Sequence, residues 1–315
     1  PASLHMSTAS DRAILGTLAF YDLFEYPLTL LELWQKLPGK QGEGFRNAVE
    51  MERCIEGSPF LKERIEKDGA FYFLRGRSHI LSLRARHFRE SLRKMKLARR
   101  VSRWISLVPF VKGVAVCNSL GYGNAARESD IDFFILVERG RLWVTRAIAV
   151  MLTEIVASRP SSEKSKDGIC LSFFAAEGKN FLHLRLPGGD PYFDWWMTGI
   201  VPLYERGDAF KQWWDGNRWV QSERPNASIG KTAFGLRVHV SVTVLSFALK
   251  RIFGWSFVER LARFFEWRHL SRAVKDRANI STEIVLQDDI LKFHTSDARA
   301  EYRRIWEKRL AGLGV

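Results

Sequence analysis

Val111-Lys112-Gly113-Val114-Ala115-Val116-Cys117-Asn118-Ser119-Leu120-Gly121-Tyr122-Gly123-Asn124-Ala125 runs directly into Ala126-Arg127-Glu128-Ser129-Asp130-Ile131-Asp132-Phe133-Phe134-Ile135-Leu136-Val137. Val111–Val116 reads as a β-strand and the small residues after it as a turn with a short loop or helix. A second strand follows, beginning with two alternate carboxylates. Residues two apart on a strand share a face, so Asp130 and Asp132 project together while Ile131, Phe133 and Ile135 fill the other side. Two carboxylates held that close repel unless a cation lies between them. Mg²⁺ is ordinarily held by one or two carboxylates together with substrate phosphates, which is the arrangement this spacing supplies. The Ser119 hydroxyl and the backbone N–H groups of the Ser119–Gly123 turn can grip a triphosphate. Gly121 and Gly123 would let the main chain come close to it.

This order of strand, Gly-Ser-type turn and Asp-x-Asp strand resembles the DNA polymerase β-like nucleotidyltransferase superfamily. Within it, the stretch is most similar to the small bacterial minimal nucleotidyltransferase domains. The resemblance implies an α+β nucleotidyltransferase fold, a short mixed sheet with flanking helices. It implies Asp130 and Asp132 as the catalytic residues and ligands of Mg²⁺ (or Mn²⁺). Asn118, Ser119, Gly121, Gly123 and Ser129 would bind the nucleotide. The implied reaction moves a nucleoside monophosphate from an NTP such as ATP to an RNA, protein or small-molecule acceptor, and pyrophosphate leaves.

Two departures from that pattern stand out. Asn118 occupies the place of the usual glycine, and asparagine tolerates left-handed backbone better than most residues. Active members also carry a third carboxylate on a later strand. Here the corresponding strand, Ile169-Cys170-Leu171-Ser172-Phe173-Phe174-Ala175, puts Cys170 and Ser172 on one face and no acid. Asp167 lies just before it, Glu177 just after it and Asp194 further on. A displaced acid, a base supplied by the acceptor, or nucleotide binding without turnover are all compatible with this. The last would make the chain a silent sensor or an antitoxin-like regulator.

Working outward, residues 7–82 read as helix, helix, helix, hairpin, an order that resembles a winged helix. Apolar residues recur at helical spacing from Ile14 to Leu23, Pro27 breaks the run, and Thr29 can cap a second helix. A third helix is expected from Phe45 to Ile55. Phe60–Glu66 and Ala70–Leu74 would be the strands of a hairpin turning at Lys67-Asp68-Gly69. Arg46, Glu50, Glu52, Arg53 and Glu56 leave the third helix without the basic face that DNA reading needs. Residues 83–200 form the expected nucleotidyltransferase domain. It opens on a basic helix, Leu83–Trp104, that is either a solvated connector or a phosphate-holding surface. A further helix is expected from Leu142 to Ala157, with a polar loop from Ser161 to Asp167.

Residues 201–315 read as a helical domain, which the resemblance implies would complete the nucleotide cleft. Leu245, Leu249, Phe253, Phe257, Leu261 and Phe264 lie at spacings of three and four. Aromatics crowd the stretch from Tyr192 to Trp219, where packing is the expected use and stacking on a base the alternative. Ser296 or Asp297 is expected to cap a final helix through Tyr302 and Trp306, while His294 could orient a phosphate or move a proton.

Composition sets the outer limits. The apolar share of 46% excludes a disordered chain, and the formal charge of +14 favours a polyanionic partner, RNA or nucleotide phosphates. Cys54, Cys117 and Cys170 have no metal-site or disulfide spacing, so reduced thiols and a cytoplasmic location are expected. Pro1–Met6 reads as a cloning remnant. The apolar stretch Val238–Leu249 is too short for a membrane span and is expected to be a buried element.

Overall fold

The structure, a computed structural model, describes residues 8–39, 44–156, 166–228 and 249–315. Pro1–Met6, most of the 161–167 loop, Leu245 and nearly all of the Val238–Leu249 stretch lie outside the described residues.

Helix α1 (Ala9–Asp22) begins at a capping box in which Thr8 accepts from the Asp11 N–H and Asp11 accepts in return. Strand β1 (Leu28–Thr29) leads into α2 (Leu30–Lys36), which Thr29 caps reciprocally with Glu32. Asn47 caps α3 (Ala48–Gly57).

The expected strand Phe60–Glu66 is not a strand over its first half. Ser58 accepts from the Leu61 N–H and Pro59 takes the first helical position, so α4 (Pro59–Lys62) forms there instead. Strand β2 (Ile65–Asp68) then turns through Gly69 and Ala70 into β3 (Phe71–Leu74), and Gly69 supplies the positive φ of that turn. The small antiparallel sheet has the order β1-β3-β2.

Helix α5 (Ile80–Ile105) carries the basic run and buries Ala98, Val101 and Ile105. It delivers the chain to β4 (Val111–Val116), α6 (Asn118–Gly121) and β5 (Ile131–Val137). Both faces of β5 are covered from Phe133 to Val137, which explains its unbroken apolar run. Helix α7 (Leu142–Val156) is the crossover that lets β6 (Ile169–Ala176) lie parallel to β5. Asp190 caps α8 (Pro191–Thr198), and β7 (Val201–Glu205), α9 (Ala209–Asp215) and α10 (Trp219–Glu223) follow.

The main sheet has the order β7-β4-β5-β6-β9-β8, in which β8 is Ile284–Leu286 and β9 is Ile290–Phe293. The stretch from 201 to 315 is therefore not a purely helical domain. Strand β7 pairs with β4 and β9 pairs with β6, so this stretch supplies both flanks of the sheet. The chain is a mixed α+β protein, with two sheets among the described residues. Its final helix, Arg299–Leu313, packs back on α1, where the Trp306 indole donates to the Gly16 carbonyl at 2.8 Å.

The Tyr192–Trp219 aromatics are mostly packing groups. Trp196 stacks on Phe173 at 5.0 Å, Trp195 stacks on Tyr122 at 4.1 Å, and Trp213 is fully buried. Among the described residues no helix is long and apolar enough to cross a membrane.

Candidate metal and nucleotide site

Asp130 is the residue before β5 and Asp132 the second residue in it, so the strand geometry aims both at one cleft of about 340 Å³. Parallel pairing sets Asp132 opposite Cys170 on β6. One carboxylate oxygen from each acid and the Cys170 sulfur lie within 4.8 Å of one another. Among the described residues this is the one such group able to hold a metal ion.

The turn before the acids is fixed from two directions. Asn118 has φ +52°, the left-handed conformation expected of its place, and its Nδ2 donates to Asp132 Oδ2 at 2.7 Å. From the other side, Lys94 on α5 is fully buried, and its Nζ donates to the carbonyls of Arg127 and Ser129 and to Asp167 Oδ1. A buried ammonium with three acceptors is fully satisfied, and it pins the loop that presents Asp130.

Burial is the main force on the two acids. It pushes Asp132 up to about 6, with the Asp130 charge adding to it and bonds from Asn118 and Cys170 opposing. Asp130 is likewise raised, first by burial, against a backbone hydrogen bond and the charge of Lys94. Burial, then the Asp132 charge, pushes the Cys170 thiol up to about 12. Each of these costs is relieved by a cation bound between the groups.

Other residues of the expected site take different places. Ser119, Gly121, Gly123 and Ser129 do not line the cleft. The Ser129 hydroxyl donates to the Ala126 carbonyl at 2.9 Å. A Cβ on Gly121 would stand 2.1 Å from the Gly199 carbonyl oxygen, so this glycine admits protein backbone rather than a phosphate. Gly123 has φ +68° and serves the turn itself.

None of the candidate third acids reaches the pair. Asp167 is bound by Arg93 at 2.7 Å and by Lys94, and the Arg93 hydrogen bond leads in holding it at about 2. Glu177 pairs with Lys112 at 3.5 Å, and Asp194 pairs with Arg185 at 3.1 Å.

Sequence reasoning singled out His294 and Asp297 but missed that β9 and the start of the final helix form the facing wall of the cleft. Lys292, His294, Asp297 and Arg299 all line it. Arg299 bonds Asp190 at 2.8 Å, Asp297 at 2.8 Å and the Leu184 carbonyl at 2.9 Å. Burial pushes Asp297 up, but its hydrogen bonds with Arg299 and that positive charge hold it at about 2. The final helix has Ala298 at its N-cap with no side-chain bond, so neither Ser296 nor Asp297 is the cap. Asp297 accepts instead from the backbone N–H and guanidinium of Arg299.

Burial lowers Lys292 to about 8 and His294 to about 3. His294 is therefore held neutral in this wall at pH 7. Besides His294 and Asp297, the sequence offered a lysine inside the apolar run Ile290–Phe293.

No protein-family model matches the chain. No curated protein and no solved structure matches it either.

Proposed function

We propose that this protein is a divalent-cation-dependent nucleotidyltransferase of the DNA polymerase β-like type. The observation that carries the reading is the placement of Asp130 and Asp132 side by side at a cleft, reached from β4 through the left-handed turn at Asn118. A mixed sheet with the Asp-x-Asp strand at its centre supports the same fold. The order of elements before Ile80, three helices and a hairpin with a short helix between them, supports the winged-helix reading of the N-terminal part.

The donor set fits a divalent cation: two carboxylates and one thiol converge, and their burial makes the charged pair costly without one. Asp130 and Asp132 would hold Mg²⁺ or Mn²⁺, which when bound neutralises triphosphate charge and favours departure of pyrophosphate. Asn118 fixes the rotamer of Asp132, and Lys94 fixes the loop before Asp130. Lys292 and Arg299 line the facing wall, where they are paired with Asp297 and Asp190. In the reaction the acceptor hydroxyl oxygen bonds to the α-phosphorus, its proton passes to solvent, and the bond from that phosphorus to the bridging oxygen breaks. Pyrophosphate carries away that electron pair.

The formal charge of +14 and the exposed Lys96, Arg100 and Arg103 on α5 support RNA or another polyanion as acceptor. A second reading, a nucleotide sensor without turnover, is favoured by the thiol that faces the acids where a carboxylate would serve as base. Titrating each NTP with and without the cation and measuring pyrophosphate separates the two. Release supports transfer, and binding without release supports the sensor.

A further inference from the structure

The third group at the site is sulfur, and its placement is specific. Cys170 stands opposite Asp132 in the parallel β5–β6 register, and its Sγ belongs to the same 4.8 Å cluster as the two carboxylates. Two ligands of one ion lie at most about twice a bond length apart, roughly 4.5 Å for oxygen and sulfur on zinc. The three atoms lie within 4.8 Å of one another, a spread that a bound ion would draw in slightly. Cys117, the nearest other thiol in sequence, is outside that cluster, with its Sγ donating to the Asp132 backbone carbonyl at 3.7 Å. Of the acids with which the sequence might have replaced Cys170, each is consumed in an ion pair elsewhere.

A hard cation such as Mg²⁺ takes oxygen ligands and keeps several waters. A thiolate shifts preference toward softer cations. We propose that Asp130, Asp132 and Cys170 together ligate a divalent cation, and that the site takes a thiophilic one of the zinc type in preference to Mg²⁺. The inference rests on the preceding reading in that it names the cation of the same site. On ligation the S–H bond breaks heterolytically. The sulfur keeps the electron pair and donates it to the cation, and the proton passes to solvent.

The test is a Cd²⁺ titration of the full chain, followed by the ultraviolet thiolate-to-cadmium charge-transfer band. The band is expected to saturate at one equivalent in the parent protein, Cys54→Ser and Cys117→Ser, and to vanish in Cys170→Ser. Equimolar Zn²⁺ should displace Cd²⁺, and about a hundredfold excess of Mg²⁺ should not. Because Cys170→Ser must remain folded for its loss to count, Cys170→Asp provides a gain. It should bind Mg²⁺ about tenfold tighter than the parent by calorimetry. A band that persists in Cys170→Ser, no band in the parent, displacement by Mg²⁺, or equal Mg²⁺ affinity in Cys170→Asp would each overturn the proposal. A Cys170-dependent band without nucleotide transfer under any cation leaves the metal site standing and removes the enzymatic reading. Transfer supported by Mg²⁺ equally in the parent and Cys170→Ser, with no band, does the reverse.

Discussion

Asn118 and Asp132, fourteen residues apart in sequence, meet in a 2.7 Å hydrogen bond that joins the turn after one strand to the acid on the next. Asn118 makes the contact from a left-handed backbone, φ +52°. A glycine there would keep the backbone but lose the bond. This asparagine therefore does two things, forming the turn and holding the Asp132 carboxylate in place.

The energetics of Asp132 give a pH signature. Its folded value is about 6 against an ordinary 3.8, so the folded state keeps a proton that the unfolded state has shed between those limits. Below both values there is no penalty, and above about 6 the penalty is complete, on the order of 1–3 kcal/mol. Asp132→Asn should thus stabilise the cation-free protein at pH 8 by that amount, with the gain disappearing as pH falls toward 4. Added divalent cation should stabilise the parent and not the variant. Thermal unfolding at several pH values, with and without the cation, checks both signs.

Gly121 gives a test of which role its missing side chain plays. A Cβ there meets backbone at Gly199, which cannot rotate away, so Gly121→Ala should destabilise by about 2 kcal/mol or more. Denaturant unfolding without any nucleotide measures this. An unchanged midpoint would return Gly121 to a role toward the ligand.

Much of the central sheet was legible because its signals are local. Alternation placed Asp130 and Asp132 on one face, the Asn118 turn followed from its residue type, and the Thr29 cap was written in Thr29 and Glu32. Strands β7 and β9 were not legible, because they are short and take their identity from partners far along the chain. Pro202 reads against a strand, yet β7 is the sheet edge, where a missing N–H donor costs nothing. The Ser58-Pro59 pair did carry a helix-start signal, and the apolar residues after it obscured it. Lys94 and Asp167 are 73 residues apart, so nothing local told that the most buried cation of the basic helix is a structural tie.

Arg299 is the keystone of the facing wall. It is about 5% exposed and neutralises Asp190 and Asp297, which are themselves buried or nearly so. Arg299→Ala would leave the buried Asp190 without its cation and Asp297 with only Lys292 at 3.5 Å, at a cost of about 3–5 kcal/mol. Arg299→Lys should recover only part of that, because one ammonium cannot span both acids and the Leu184 carbonyl. Equilibrium unfolding of the two variants distinguishes this bridging role from simple charge.

The most direct measurement follows labelled nucleotide and released pyrophosphate from each NTP in turn, with a divalent cation and an RNA-containing cell extract as acceptor. Parent protein is compared with Asp130→Asn/Asp132→Asn, whose fold is verified by circular dichroism. Cation-dependent transfer by the parent, lost by at least a hundredfold in the folded double variant, is the predicted result. Equal transfer by the two proteins, or none by the parent with any NTP and cation, would contradict the assignment of these acids to nucleotidyl transfer.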